Sequence, residues 1–144
     1  MVINISNFFN SSNKSSIIGD FQDLDHIDGI AISSINANLY NTKRDDLVFF
    51  YFRDGANHAS VYTQSKVISE NIKWNLKINN KKINGILINT RNANAFTGKR
   101  GFNAIKEIAE SLSGKLTEKQ KIDESRPKTI KSSDLLFAST GTIG

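Results

Sequence analysis

The sequence predicts an α/β fold, a layered sandwich with a mixed sheet. Two nearly continuous apolar segments, DLVFFYF at Asp46–Phe52 and GILIN at Gly85–Asn89, have the composition of buried strands, and the first should be covered on both faces. The segment GFNAIKEIAESLSG has apolar residues at helical spacing, and its last residue, Gly114, is a typical helix end signal. At 144 residues the chain corresponds to about one domain.

The first half of the chain contributes further strands. Residues 1–16 are rich in Asn and Ser and are expected to be loosely ordered, so the domain proper is assigned to 17–144. The segment starting at Ile30, IAISSINANLY, predicts a strand that enters a meander. After the central strand, Asp54–Gly55 is a turn signal, and the chain is expected to return in a strand through Val61–Tyr62.

The second half is partly ambiguous. In 65–78 the apolar residues fit either helical or alternating spacing. The segment NNKKING at 79–85 predicts a turn. SDLLFASTGTIG at 133–144 predicts a third short strand that runs into a glycine-rich turn. A fold usually continues after such a turn, so we expect the domain to be truncated at its C-terminal end.

Composition excludes several functional classes. The chain has no Cys, which removes disulfides, thiolate chemistry and Cys-based zinc sites. No basic residue precedes the apolar stretch within Met1–Asn10, so a secretory signal is not expected, and no run is long enough for a membrane helix. We therefore expect a cytoplasmic protein without a membrane partner.

The net charge of +5 leaves nucleic-acid binding open as an alternative. The lysines are spread along the chain, which is typical of a solvated surface. The densest basic segment, Lys115–Lys131, also contains Glu118, Asp123 and Glu124, so its local field is mixed. We expect no nucleic-acid partner.

Three other features have ordinary structural explanations. The cluster Asp23, Asp25, His26 and Asp28 matches neither an EF-hand nor a zinc-helix spacing, so we expect a polar turn and no metal. His58 is expected to be a solvated loop residue. Trp74 is expected to lie in the core.

The stretch NANAFTG after the strand ILIN is the strongest indication of a site. A strand, a tight turn and a helix in this order place Thr97 and Gly98 at the helix N-terminus, where backbone N–H groups lack intrahelical partners. These groups and the helix dipole favour negative charge, and Thr97 adds a hydroxyl. One donor aimed at the oxyanion of an acyl transfer contributes ~3 kcal/mol. The alternative is that Thr97 only caps the helix.

The neighbouring residues of this turn are small or carry amides. Ala93 and Ala95 allow close approach of a ligand or a strand. Asn92 and Asn94 can hold the turn or contact a substrate. A second turn of the same kind, STGTIG at 139–144, lacks the GxGxxG spacing and the following helix that a nucleotide site needs.

Taken together, these segments resemble the N-terminal part of the ornithine acetyltransferase family, the bifunctional ornithine acetyltransferase/N-acetylglutamate synthases of arginine biosynthesis. The family pattern Asn-(Ser/Thr)-Gly-Asn-Ala-Asn-Ala-x-Thr-Gly corresponds to NTRNANAFTG, and Ser-Thr-Gly-Val-Ile-Gly corresponds to STGTIG. Upstream, DGIAISSINANLYNTKRDDLVFFYF and VYTQSKV resemble the first strands and the Phe-Thr-x-Asn-x-Val segment of the family. Arg91 stands where the usual pattern has Gly.

The resemblance implies a function for each motif. Family members are precursors that cut themselves before a threonine, which then carries the acetyl group of N-acetylornithine to glutamate. Thr97 and Gly98 match the pair that stabilises the oxyanion, and Thr140 matches a substrate-binding threonine. The cleavage motif is not found before Gly144.

It follows from the resemblance that the chain is most of the α chain and is inactive without the β chain from the same precursor. It implies a hetero-oligomer of α and β chains and no cofactor, and it leaves acetyl-CoA open as a further substrate. A nucleic-acid-binding module and a structural remnant without catalysis remain alternatives.

Overall fold

A four-stranded mixed sheet with two helices on one face forms the fold in the computed structural model, which describes residues 25–122 and 127–143. The elements are β1 (Ile30–Ile35), β2 (Leu47–Asn57), α1 (Glu70–Asn75), β3 (Lys82–Asn89), β4 (Asn92–Ala93), α2 (Gly98–Ile122), β5 (Leu135–Ser139) and β6 (Thr142–Ile143). The main sheet has the order β1-β2-β3-β5, and β3 pairs with β2 in antiparallel and with β5 in parallel orientation. The predicted mixed sheet and α/β class are confirmed.

The core lies between this sheet and the helices. Successive residues of a strand point to opposite faces, so Phe49, Leu87 and Phe137, which are aligned across three strands, share one face. The buried cluster combines this face with the apolar stripe of α2 and consists of Tyr51, Ile105, Ala109, Leu116, Ile130, Leu135 and Phe137. The opposite face is also apolar but less covered, and Ile32 on it remains 42% exposed.

Helix α1 resolves the ambiguous segment. Ser69 caps it, since its Oγ accepts a hydrogen bond from the N–H of Ile72 at 3.4 Å. Trp74 packs edge-on against the Phe137 ring, and its indole N–H donates to the carbonyl of Leu135 at 3.0 Å. Trp74 therefore packs against the core as predicted, and it fixes α1 against β5.

Two turn predictions are wrong. Asp54 and Gly55 do not form a hairpin turn but lie inside β2, where the register with β3 shifts and Gly55 adopts a φ of +78°. Within the segment predicted as a turn at 79–85, β3 already begins at Lys82. Since β2 is thus prolonged to Asn57, its end pairs with the start of β3.

Three further expectations need correction. The predicted strand through Val61–Tyr62 is absent, and Val61 is 98% exposed, so it has no sheet to pair with. Gly114 does not end α2, because the buried stripe continues through Leu116 and Gln120. Along β2 only Tyr51 is fully buried, so the coverage of both faces is incomplete in the described residues.

Some predictions fall outside the described residues. These are the loose segment 1–16 and Asp23 of the polar cluster. Within 25–122 and 127–143, no three His, Cys, Asp or Glu residues are grouped as a metal site would need. Within the same ranges, no helix has the length and apolarity required to cross a membrane.

Candidate functional site

The two polar turns are neighbours because the strands that precede them are neighbours. β3 and β5 run parallel with Asn89 opposite Ser139, so both chains leave the sheet at the same edge. They then pair again as β4 and β6, with Asn92 opposite Thr142. The backbone N–H of Thr142 donates to the carbonyl of Arg91 at 2.7 Å. NANAFTG and STGTIG therefore form one site.

Asn94 is the centre of this site. Its backbone N–H donates to Ser139 Oγ at 2.8 Å, and its side-chain amide donates to Asn71 Oδ1 at 3.3 Å and to the carbonyl of Gly101 at 3.2 Å. Asn71 is buried and donates to the same Ser139 Oγ at 2.7 Å. Asn94 thus joins both turns, α1 and the start of α2.

Thr97 and Gly98 lie at the helix N-terminus as predicted. The Thr97 hydroxyl donates to Asn94 Oδ1. The hydrogen bonds of Asn94, called the Asn94 network from here on, therefore fix the position of this hydroxyl. Gly98 is the first residue of α2, is exposed and has a φ of +58°. The N–H groups of this first turn have no intrahelical partner. The site therefore presents backbone donors to solvent beside an oriented hydroxyl.

Thr140 and Asn92 lie at the rim of the same edge. Thr140 is exposed, and its backbone N–H donates to the carbonyl of Asn89 at 3.1 Å. Asn92 is exposed, and its carbonyl accepts from the Asn89 side-chain amide at 2.9 Å. Ala93 pairs with Ile143, so a partner strand does approach its backbone closely. Both predicted polar residues are thus available to a ligand in this structure.

A groove of about 670 Å³ lies at the N-terminus of α2 and carries several positive charges. Lys73, Lys77 and Lys99 line it together with Glu70, Gly98 and Phe102. Lys73 Nζ forms an ion pair with Glu70 Oε1 at 2.7 Å, so Lys77 and Lys99 supply the charge that is unpaired among the described residues. Lys77 Nζ lies 4.2 Å from the centre of the Phe102 ring. The charges of Lys77 and Lys99 have the same sign as the N-terminal end of the helix dipole, so the local field favours an anion or a developing negative charge.

Sequence reasoning missed three residues of the site. Asn71 lies in the segment with ambiguous periodicity, and Ser139 was considered only as part of its turn. Arg91 was noted for its departure from the family pattern, but its contacts could not be foreseen.

His58 is half-buried rather than solvated, and its Nδ1 has no hydrogen-bond partner among the described residues.

Comparison with known proteins gives a consistent assignment. A sequence profile of the ArgJ family matches residues 31–144. The "Arginine biosynthesis bifunctional protein ArgJ" of Bartonella henselae is 29% identical over 126 residues, which are 87% of this chain and 28% of that protein. Its counterpart from Caldanaerobacter subterraneus is 32% identical over 117 residues, 81% of this chain and 26% of that protein. The chain thus spans less than a third of these relatives.

Solved structures support the same assignment. The crystal structure of ArgJ from Bacillus halodurans has a TM-score of 0.64 and 26% identity, covering 81% of this chain and 56% of that one. The ornithine acetyltransferase of Mycobacterium tuberculosis, solved with ornithine, has a TM-score of 0.71 over 81% of this chain and 58% of its own. Its 21% identity supports the fold alone. With its profile match, its relatives and its fold in agreement, the chain belongs to the ArgJ family.

Proposed function

We propose that this chain is the oxyanion-stabilising part of an acyltransferase that transfers an acetyl group from N-acetylornithine to glutamate. The pairing of the two polar turns around Asn94 is the observation that carries this proposal. The proposal also includes acetyl-CoA as an alternative acetyl donor. It assigns the protein to the cytoplasm and to arginine biosynthesis.

The chemistry has two half-reactions. A threonine hydroxyl oxygen forms a bond to the acetyl carbonyl carbon of N-acetylornithine, and the electrons of the C=O π bond move to the oxygen, which gives a tetrahedral oxyanion. The oxyanion collapses, the C–N bond breaks, and the proton from the threonine goes to the departing amine of ornithine. The amine of glutamate then attacks the acetyl ester carbon and forms a second tetrahedral oxyanion. This collapses with cleavage of the ester C–O bond, and a proton of the amine goes to the departing threonine oxygen. Each half-reaction passes through an oxyanion that needs hydrogen-bond donors.

The described residues supply those donors. The Gly98 N–H belongs to the free first turn of α2, and Lys77 and Lys99 of the groove add a favourable field. The Thr97 hydroxyl has a single proton, which in this structure is donated to Asn94 Oδ1. Rotation about the Cβ–Oγ bond redirects this proton to an oxyanion, and Asn94 keeps the side chain in place before that step.

The nucleophilic threonine is assigned to a segment outside these 144 residues, on the β chain that the precursor releases by self-cleavage. The chain is then an α subunit that is inactive alone and acts in a hetero-oligomer. The solved relatives include a further part that this chain does not cover, since the alignment spans 56% of the Bacillus halodurans protein.

Substitution of Thr97 in the complete precursor tests the proposal. Thr97→Ala should lower acetyl transfer at least tenfold, since one oxyanion donor contributes ~3 kcal/mol. Thr97→Ser keeps the hydroxyl and should retain most of the activity. Thr129→Ala removes a threonine from an exposed position away from the site and serves as the matched control.

Turnover is measured as the initial rate of N-acetylglutamate formation, and urea unfolding is measured alongside it. A precursor with Thr97→Ala that is folded and turns over at the unsubstituted rate would remove the oxyanion role.

A further inference from the structure

A second pocket lies beside the STGTIG turn and is lined by residues that the proposed oxyanion site does not use. Its volume is about 740 Å³, and its walls are formed by Tyr40, Asn41, Thr42, Arg91, Gly141 and Thr142. Thr140, the proposed substrate-binding residue, directly precedes the Gly141 wall. The pocket therefore extends the site on the side of β6.

Two guanidinium groups lie at the Tyr40 ring: that of Arg91, which lines the pocket, and that of Arg44, which lies outside its lining. The Arg44 guanidinium carbon lies 4.3 Å from the centre of the Tyr40 ring, and that of Arg91 lies 5.5 Å from it. One Arg91 N–H group donates to the carbonyl of Leu39, which leaves the other donors of its planar fork uncommitted. Two like charges near one ring repel each other, and a bound anion would offset this repulsion.

The nearby carboxylates do not neutralise these arginines. Asp46 is buried and accepts hydrogen bonds from the backbone N–H groups of Ala37 and Leu39, both at 2.7 Å. Asp45 accepts the hydroxyl of Ser34. Within residues 25–122 and 127–143, no carboxylate forms an ion pair with Arg44 or Arg91. Their charge is therefore available to a ligand.

The backbone at Arg91 is unusual in the same place. Arg91 has a φ of +74°, an uncommon conformation for a residue with a Cβ. Its backbone is held there by the hydrogen bond from Thr142 and by the close approach of Gly141, where a Cβ would lie 2.0 Å from the Arg91 carbonyl oxygen. A glycine would fit this position with less strain, so the side chain is retained at a conformational penalty.

We propose that Arg91 and Arg44, stacked at the Tyr40 ring, bind the carboxylate of the amino-acid substrate. The inference rests on the proposed function and deepens it by naming the group that holds the substrate's charged end. A planar guanidinium pairs with a carboxylate through two parallel N–H···O bonds, which fixes orientation as well as charge. The same chemistry suits a phosphate group, so the test separates the two.

The experiment measures binding to the 144-residue chain by backbone amide shifts of Gly141 and Thr142 in ¹H–¹⁵N spectra. The probes are Nα-acetyl-L-ornithine, the same compound with its carboxylate replaced by a carboxamide, and inorganic phosphate. We expect acetylornithine to shift both amides saturably and the carboxamide to bind at least tenfold more weakly.

Two variants locate the binding, and one serves as a control. Arg91→Gly restores the residue that suits the backbone, and Arg44→Gln removes a charge without touching that backbone; each should weaken acetylornithine binding at least tenfold. Lys121→Gln removes one charge from an exposed position in the last turn of α2 and should leave binding within twofold. Dispersed spectra verify that each variant is folded.

The outcomes are separable from those of the Thr97 experiment, which needs turnover. Equal binding of the acid and the carboxamide, unchanged binding by a folded Arg91→Gly or Arg44→Gln variant, or no shift with any probe would overturn the carboxylate subsite. Shifts with phosphate alone would overturn the amino-acid assignment. Arginine-dependent binding together with full turnover by Thr97→Ala would keep the subsite and remove the oxyanion role.

Discussion

Substitution of Gly101, in the first turns of α2, tests the Asn94 network. For Gly101→Ala, helix propensity predicts a higher free energy of unfolding, whereas the contacts in the structure predict a lower one. Replacing a glycine inside a helix by alanine normally stabilises by about 0.5–1 kcal/mol. A methyl group on Gly101 would, however, lie 2.0 Å from Thr97 Oγ1 and 2.2 Å from Asn94 Oδ1. Both oxygens must move, and the hydrogen bond between Thr97 and Asn94 must open.

The magnitude follows from these contacts. Overpacking of a fixed site costs about 1–3 kcal/mol, and a lost hydrogen bond costs about 0.5–1.5 kcal/mol. Subtracting the gain in helix propensity leaves a net destabilisation of about 0.5–4 kcal/mol for Gly101→Ala. Gly114 in the same helix provides the matched control, because a methyl group there meets no atom within 4 Å. Gly114→Ala should stabilise the protein by about 0.5–1 kcal/mol.

Urea unfolding followed by the fluorescence of Trp74 measures both variants. Trp74 is the only tryptophan of the chain, and it contacts β5 through its indole N–H and the Phe137 ring. It therefore reports loss of the packing between α1 and the sheet. Midpoints are compared at a common slope, since a change in slope would indicate altered compactness. If Gly101→Ala stabilised the protein as much as Gly114→Ala, Thr97 and Asn94 would not be held as the structure shows.

Two further substitutions test the elements that carry the site. Gly141→Ala would place a methyl group 2.0 Å from the Arg91 carbonyl oxygen, at a backbone φ of +126°. It should therefore lower the free energy of unfolding in urea by about 3 kcal/mol or more. A loss below about 1 kcal/mol would contradict the close approach of β4 and β6. Asp46→Ala removes the buried carboxylate that accepts from the N–H groups of Ala37 and Leu39, and it should cost about 2–4 kcal/mol. Asp46→Asn retains one oxygen acceptor and should lose roughly half as much. Equal losses would show that the charge and not the hydrogen bonds matters.

The sequence was most informative where a single physical signal dominated. The apolar segments at 46–52 and 85–89 became β2 and β3, because short runs of β-prone residues between turn signals favour buried strands. The helix was found from its stripe, and its start at Gly98 followed from the turn before it. These elements position the candidate site, so its location was predictable.

Local turn signals failed where tertiary pairing overrode them. Asp54–Gly55 has the composition of a hairpin turn, but the start of β3 pairs with residues beyond it and turns it into an irregularity within β2. Gly114 has the composition of a helix end, but Gln120 lies further along and donates to Tyr51 Oη and to the carbonyl of Arg53, so the helix gains contacts by continuing. Neither partner is visible in a local window of sequence.

Contacts within the site were the least predictable part. Asn71 and Ser139 are 68 residues apart, and only the docking of α1 on β5 brings them within 2.7 Å. No periodicity or spacing relates them. The same holds for Arg91 and Tyr40, whose contact depends on how the loop before β2 is folded around the carboxylate of Asp46.

The adjacency of the two turns, in contrast, has a general physical origin. β3, α2 and β5 follow one another in the chain, and a helix of this length between two strands allows them to pair in parallel, as they do. Parallel strands end at the same edge of a sheet, so whatever follows each strand must meet there. Each strand here is followed at once by small and polar residues, and the helix N-terminus lies between the two turns in sequence. The βαβ order therefore brings Thr97, Gly98 and Thr140 to one edge without any specific contact between them, and the Asn94 network then fixes their relative positions.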